Sequence, residues 1–385
     1  MIKREAEEEL KILSSQFKAI AIIGPRQSGK TTLARFVFPN MPYVNLENPD
    51  IRMYAIDDPR GFLSNYKTGA IFDEIQRTPK LFSYLQEILD ETKSNGRFVL
   101  TGSNNFLLQE NISQSLAGRI AYLNLLPFTI KELIPNSDFD LNTLLFNGFY
   151  PPIYDQKPDP ARWYSNYIRT YIERDVRQIK NISNLNTFDR FIKLCAGRIG
   201  QLLNKNNLAI EAGVDNKTID SWLGILESSF IIYRLQPHHI NYNKRIVKMP
   251  KLYFYDTGLA CNLLGINDAS QLDTHYLRGN LFENLIISEF LKIKFNTNLP
   301  LNLFFWRDNV GHEIDLIIDH SNSLLPIEIK SGKTVHKEFF KNLHYWMKLT
   351  GIKKGKLIYA GESSQKRSEG VEIVSWKNSK KILFP

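Results

Sequence analysis

The octapeptide Gly24-Pro25-Arg26-Gln27-Ser28-Gly29-Lys30-Thr31 constrains the fold more than any other stretch of the chain. An apolar run, Ala19-Ile20-Ala21-Ile22-Ile23, precedes it, and a helical run from Thr32 to Phe38 follows. This is G-x-x-x-x-G-K-[ST] in its required setting of strand, loop and helix. Gly24 and Gly29 allow the backbone to wrap closely round phosphates, and the loop amides with the helix N-terminus attract phosphate oxygens. Lys30 is the mobile charge that reaches the β- and γ-phosphates, and Thr31 supplies a hydroxyl to Mg²⁺. The expected nucleotide-binding set is therefore Gly24, Pro25, Arg26, Gln27, Ser28, Gly29, Lys30, Thr31 and Thr32, with ATP and Mg²⁺ as cofactors.

A second motif lies about forty residues downstream. The short apolar strand Ala70-Ile71-Phe72 ends in Asp73-Glu74, a Walker B arrangement. Asp73 is expected to hold Mg²⁺ through water and Glu74 to orient or activate the attacking water. A third strand, Arg97 to Leu100, leads into Thr101-Gly102-Ser103-Asn104. Ser103 or Asn104 is the candidate γ-phosphate sensor; an ordinary helix cap is the competing reading. Arg119 is a candidate transition-state charge, in cis or toward a neighbouring subunit, against the reading of a plain surface arginine.

A length of 385 residues allows two or three domains, and 43% apolar with 23% charged residues is the composition of a soluble globular protein. No run approaches the ~20 apolar residues that span a bilayer, and MIKREAEEEL reads as a surface helix rather than a signal peptide. Cys195 and Cys261 have neither metal-ligand spacing nor numbers for a disulfide framework, so buried free thiols in a reducing cytoplasm are expected. The net charge of +9 suits an anionic partner. Three regions separate: 1–135, an α/β alternation implying a parallel sheet; 136–270, mainly helical; and 271–385, a mixed α/β pattern. Polar stretches at Pro135-Asn136-Ser137-Asp138 and Ile266 to Ser270 mark the boundaries.

The stretches GPRQSGKTTLAR, IFDEIQ, LTGSNNFLL, SLAGR and LLPFTIKEL resemble the AAA+ ATPases of the bacterial and archaeal group that carries the domain DUF4143. The resemblance covers residues 18–135 and implies the strand order 5-1-4-3-2. Related ATPases assemble, which makes a homo-oligomer an expectation.

In the middle region, Arg169, Glu173 and Arg177 fall on one helix face, as a salt-bridged stripe or an interdomain contact. Residues 188–230 read as three helices, the third from Lys217 to Leu226, followed by strands at Phe230–Leu235 and Leu252–Tyr255. The intervening loop carries His238, His239, Lys244, Arg245, Lys248 and Lys251. This resembles a winged helix. Lys217 and the loop's basic residues are candidates for non-specific DNA phosphate contact, and a purely structural role is the rival.

The last third carries Glu283 on an amphipathic helix, Asp315 on an alternating strand, and Glu328-Ile329-Lys330 on the next. Period 2 puts Glu328 and Lys330 on one face. The order Glu, Asp, Glu-x-Lys resembles the PD-(D/E)xK, restriction-endonuclease-like fold. By that resemblance, Asp315 and Glu328 bind Mg²⁺, Glu283 assists from its helix, and Lys330 positions water or steadies charge. A Gln-x-x-x-Tyr helix found in some nucleases has Lys341 in place of glutamine here. Two functions follow as expectations: ATP hydrolysis coupled to DNA binding or metal-dependent cleavage, or an ATP-gated DNA- or protein-binding scaffold with an inactive nuclease fold.

Overall fold

The computed structural model describes residues 2–103, 115–134, 139–172, 185–238, 247–320 and 322–384. The chain begins with α1 (Ala6–Gln16), β1 (Ala19–Ile23), α2 (Lys30–Val37), β2 (Tyr43–Asn45), α3 (Pro49–Asp57), α4 (Pro59–Ser64), β3 (Ala70–Asp73), α5 (Leu81–Glu91), β4 (Phe98–Gly102) and β5 (Ile120–Asn124). Among the described residues these strands form one parallel sheet in the order β2-β3-β4-β1-β5. Read from the other edge, that is 5-1-4-3-2. Every residue of β1, β3 and β4 is buried, because helices cover both faces. α1 is only half a surface helix: Ala6, Leu10 and Leu13 enter the core below β1.

The chain then runs through α6 (Ile130–Leu133), α7 (Leu141–Asn147), α8 (Pro151–Asp155), α9 (Pro160–Tyr167), α10 (Leu185–Ala196), α11 (Lys205–Ala212) and α12 (Asn216–Ser228). Asn204 and Asp215 cap α11 and α12 through their side chains, and Gly213 ends α11 in the left-handed region. An antiparallel pair, β6 (Ile232–Leu235) and β7 (Lys251–Phe254), follows.

After α13 (Thr257–Leu263) comes α14 (Arg278–Thr297), then the antiparallel meander β8 (Asn302–Arg307), β9 (Glu313–Asp319) and β10 (Leu324–Lys330). α15 (Lys341–Thr350) crosses over to β11 (Gly355–Tyr359), which pairs parallel with β10. β12 (Gln365–Lys366) and β13 (Val371–Ser375) complete a sheet ordered β12-β13-β11-β10-β9-β8. α14 has Leu281, Phe282, Leu285, Ile286 and Phe290 in a core shared with the middle region. Phe230 and Tyr255, from the middle region, pack into the core of the first sheet. Cys195 and Cys261 are buried free thiols, and burial pushes both thiol pKa values up.

Candidate functional site

The loop leaves the carboxyl end of β1 against the chain that follows β5. A Cβ on Gly24 would sit 2.1 Å from the Leu125 carbonyl oxygen, so the close approach requires glycine. Gly29 has φ +92° at the start of α2, a conformation that L side chains resist. Lys30 is buried, and its Nζ donates to the carbonyls of Gly24 (3.0 Å) and Pro25 (2.8 Å). Ser28 is fully buried, and its Oγ has no hydrogen-bond partner among the described residues. A cleft of about 860 Å³ opens on the loop. Ile2, Phe128, Pro151 and Tyr154 give it an apolar wall, while Arg26, Gln27, Gly29, Lys30, Thr31 and Thr32 line the loop side.

The two motifs meet here. Thr31 Oγ1 donates to Asp73 Oδ1 at 2.9 Å, and Thr101 Oγ1 donates to the same oxygen. Tyr43 OH donates to Asp73 Oδ2 at 2.8 Å. Burial, and then this bond to a carboxylate, push the Tyr43 phenol well above its usual range. Glu74 follows in the left-handed region at φ 55°, where the strand ends and the turn Ile75–Arg77 begins. Ser103 Oγ donates to Glu74 Oε2 at 3.1 Å, and Gln76 Nε2 donates to the same oxygen. Ser103 thus stands against Glu74; Asn104 lies outside the described residues.

Arg119 is elsewhere. Its carbonyl pairs with Ala19 N at the amino end of β1, whereas the loop leaves the carboxyl end. Four strand residues at about 3.3 Å each separate the two, ~13 Å. Its guanidinium is bound to Asp90 through Nε and Nη2. In cis, therefore, Arg119 does not reach the cradle, which corrects that expectation.

Arg4 was not singled out by the sequence reading. Its guanidinium, 7% exposed, donates to Ser28 O (2.7 Å), Leu126 O (2.7 Å) and Glu132 Oε1 (3.1 Å). Glu132 also closes a capping box with Thr129 on α6. From the far side, Glu289 of α14 accepts from Ile130 N at 3.1 Å, and Lys292 Nζ donates to Phe128 O at 2.8 Å. The segment Phe128–Glu132 is thereby held between the loop and α14. Neither Arg4 nor Lys292 sits in a motif, and a single arginine before a helix carries no sequence signal.

At the other end of α14 lies an acidic set. Period 2 puts Glu313 and Asp315 of β9 on one face, beside Glu283, with carboxylate oxygens of all three within 4.8 Å of one another. Asp315 Oδ2 accepts from Ile329 N (2.8 Å) and Lys330 Nζ (3.1 Å), and Lys330 Nζ also donates to Glu328 Oε2 at 3.0 Å. Burial works against the Asp315 carboxylate, but Lys330 and the other donors prevail and hold its pKa below the usual range. Burial, then the Asp315 charge, push Glu328 the opposite way, well above it. Glu328 is 1% exposed, and its Oε1 has no hydrogen-bond partner among the described residues.

Lys251 requires a second correction. It opens β7 rather than lying in the basic loop, and it is 2% exposed. Its Nζ is paired with Glu283 Oε1 at 2.9 Å and with Glu313. It is therefore unavailable to a DNA phosphate. Lys217 and Lys248 are exposed; His239, Lys244, Arg245, Glu173 and Arg177 lie outside the described residues. Arg169 is exposed on the π-helical segment Ile168–Ile172 that follows α9. His238 is buried against Phe304.

Residues 16–134 match the model of an AAA domain, residues 138–270 that of a domain of unknown function, DUF8612, and residues 278–378 that of another, DUF4143. An uncharacterized protein of Haemophilus influenzae is 23% identical over 415 residues, covering 97% of both chains. The Aeropyrum pernix ORC2 protein in its ADP form superposes with a TM-score of 0.33 at 15% identity, over 61% of this chain and 87% of that one. AMPPCP-bound DnaA of Aquifex aeolicus gives 0.30 at 16% identity, over 58% and 85%. The uncharacterized protein Rv2008c of Mycobacterium tuberculosis is 30% identical over 336 residues, 86% of this chain and 74% of that protein. With an AAA domain carrying the Gly24–Thr32 loop at its head, the chain belongs to the family of that mycobacterial protein.

Proposed function

We propose that the chain binds and hydrolyses ATP with Mg²⁺ in the Gly24–Thr32 loop and uses that cycle to control the acidic site of its C-terminal domain. The observation that carries this is the 2.9 Å contact of Thr31 with Asp73, forty-two residues apart in sequence and side by side next to Lys30. A hydroxyl and a carboxylate, both hard oxygen donors, fit Mg²⁺. When bound, that ion would offset charge on the phosphates. Lys30 can exchange its two carbonyl partners for phosphate oxygens, since an ammonium has three donors. Ser103 and Gln76 aim the Glu74 carboxylate, which takes the proton of the attacking water. K30A should lose binding of a fluorescent ATP analogue. E74Q should bind it and lose turnover by about 10²–10⁴-fold. Wild-type hydrolysis by K30A would remove the reading.

For the C-terminal domain we infer a nuclease-type metal site. α14, the β8–β10 meander, α15 and parallel β11 bring Asp315, Glu328 and Lys330 together. The unpartnered Glu328 Oε1 and the adjacent Asp315 carboxylate supply the oxygen donors a divalent ion takes, with Glu283 beside them and Lys330 as a charge for a phosphodiester. The exposed Lys217 and Lys248 are the candidate contacts for DNA phosphates. D315A should abolish Mg²⁺-dependent plasmid cleavage and leave ATP turnover largely intact. A second reading, a non-cleaving ATP-gated binding module, is favoured by the two lysines that already neutralise the acidic set. Plasmid left uncut with Mg²⁺ or Mn²⁺ under every nucleotide state would select it.

A further inference from the structure

Asp315 is the vertex of two adjoining groups of charges. On one side Lys330 bridges it to Glu328; on the other its carboxylate faces Glu283 and Glu313, between which Lys251 is seated. Lys330 belongs to the same sheet as the acids it serves. Lys251 does not: it arrives on β7, from the middle region, and its ammonium lies near the Phe305 ring as well, 5.6 Å from the centroid. Three carboxylates converge within 4.8 Å, a spacing that suits one divalent ion, and a protein ammonium is seated among them. A second feature favours a cation over lasting ion pairs. Glu328 lies 1% exposed beside Asp315, bridged to it by Lys330. One of the Glu328 oxygens still has no partner among the described residues.

We propose that Lys251 is a built-in competitor for the divalent cation at Glu283, Glu313 and Asp315: while β7 seats its ammonium there the site is shut, and a metal enters when the lysine is drawn out. This rests on the metal-site reading of Asp315 given above. It makes the middle region the gatekeeper of the acidic site, because moving one strand exchanges a monovalent internal cation for a divalent external one. The same buried negative charge that costs several kcal/mol to leave unpaired is satisfied in either state.

The test uses the full chain stripped with EDTA and titrated with MnCl₂, read by calorimetry and by melting temperature. K251M should bind Mn²⁺ about 10–100-fold more tightly than wild type and be stabilised by it, and adding E313Q should remove that gain. Wild type binding Mn²⁺ as tightly as K251M would overturn the competition and leave the metal site standing. Folded wild type and K251M that both fail to bind Mn²⁺ would bring down the metal site and the competition together. Should K251M not fold, acetic anhydride labelling of the wild-type lysines, read by mass spectrometry, decides. Saturating Mn²⁺ should raise modification of Lys251, and unchanged labelling would overturn the proposal.

Discussion

Tyr43 and Arg4 show how much of a nucleotide site rests on single side chains outside the motifs. Tyr43 touches Asp73 on the oxygen that neither threonine reaches. Its hydroxyl fixes the carboxylate's rotation, so Y43F leaves the carboxylate in place but freer to turn. Turnover should fall about tenfold with the affinity for ATP little changed, as for other residues that orient a metal ligand; a matching loss of affinity would show that Tyr43 binds nucleotide instead. Arg4 is a different case. Its three acceptors are two carbonyls and a buried carboxylate, a planar fork that lysine does not replace. R4M removes the cation from Glu132 and should cost about 3–5 kcal/mol, measured by urea unfolding. R4M/E132Q should recover part of that loss, because the stranded charge goes with it. If the double variant were no better than R4M, the carbonyl contacts rather than the ion pair would hold the loop.

α14 marks the boundary of what an element discloses in sequence. It reads as an amphipathic helix with Glu283 on it, and neither Glu289 nor Lys292 stands out in its sequence. In the structure Asn284, Ser288, Glu289, Lys292 and Asn296 are all buried, because the helix is covered on every side. Periodicity reports which face is apolar, not which polar groups a second domain will cover. The phosphate loop was legible for the opposite reason: its function needs fixed residue types at fixed local spacing, and Gly24 to Thr31 are contiguous. Tyr43–Asn45 is too short for an alternation to show, and so Tyr43 escaped notice. Glu313 was passed over beside Asp315 because only the arrival of Lys251 and Glu283 gives it company. Burial has a pH consequence on α14. It pushes the Glu289 pKa up to about 7, against a bond from Ile130 N and the Lys292 charge that pull it down. A carboxyl raised in the folded state contributes stability that is full below its unfolded pKa of 4.5 and is lost as pH rises through about 7. The wild-type melting temperature should therefore fall between about pH 5 and about pH 8, and E289Q should show a flatter slope. Equal slopes would mean that Glu289 titrates alike in the folded and unfolded chains.

At the scale of the whole molecule, the three matched regions are tied rather than strung. Phe230 and Tyr255 enter the core of the first sheet, and Lys251 enters the last domain's acidic set. α14 packs against α1 and β5 and ends, through Glu289 and Lys292, on the Phe128–Glu132 segment that Arg4 ties to Ser28. A change at the phosphate loop thus meets a continuous run of buried polar contacts leading to the helix that bears Glu283. Spatial continuity alone is not coupling; coupling requires that both ends bias the same element. A non-hydrolysable ATP analogue with Mg²⁺ tests this. At about 100 times its dissociation constant it should add about 2.7 kcal/mol to whatever unfolds with the cradle. Hydrogen exchange in α14 should slow together with that in residues 24–37 if the helix opens with the cradle. K292M, which cuts the tie to Phe128, should keep the protection of the loop and lose that of α14. Protection confined to the first sheet in the wild type would mean that the C-terminal domain opens independently, and that the run of contacts carries no signal between the two sites.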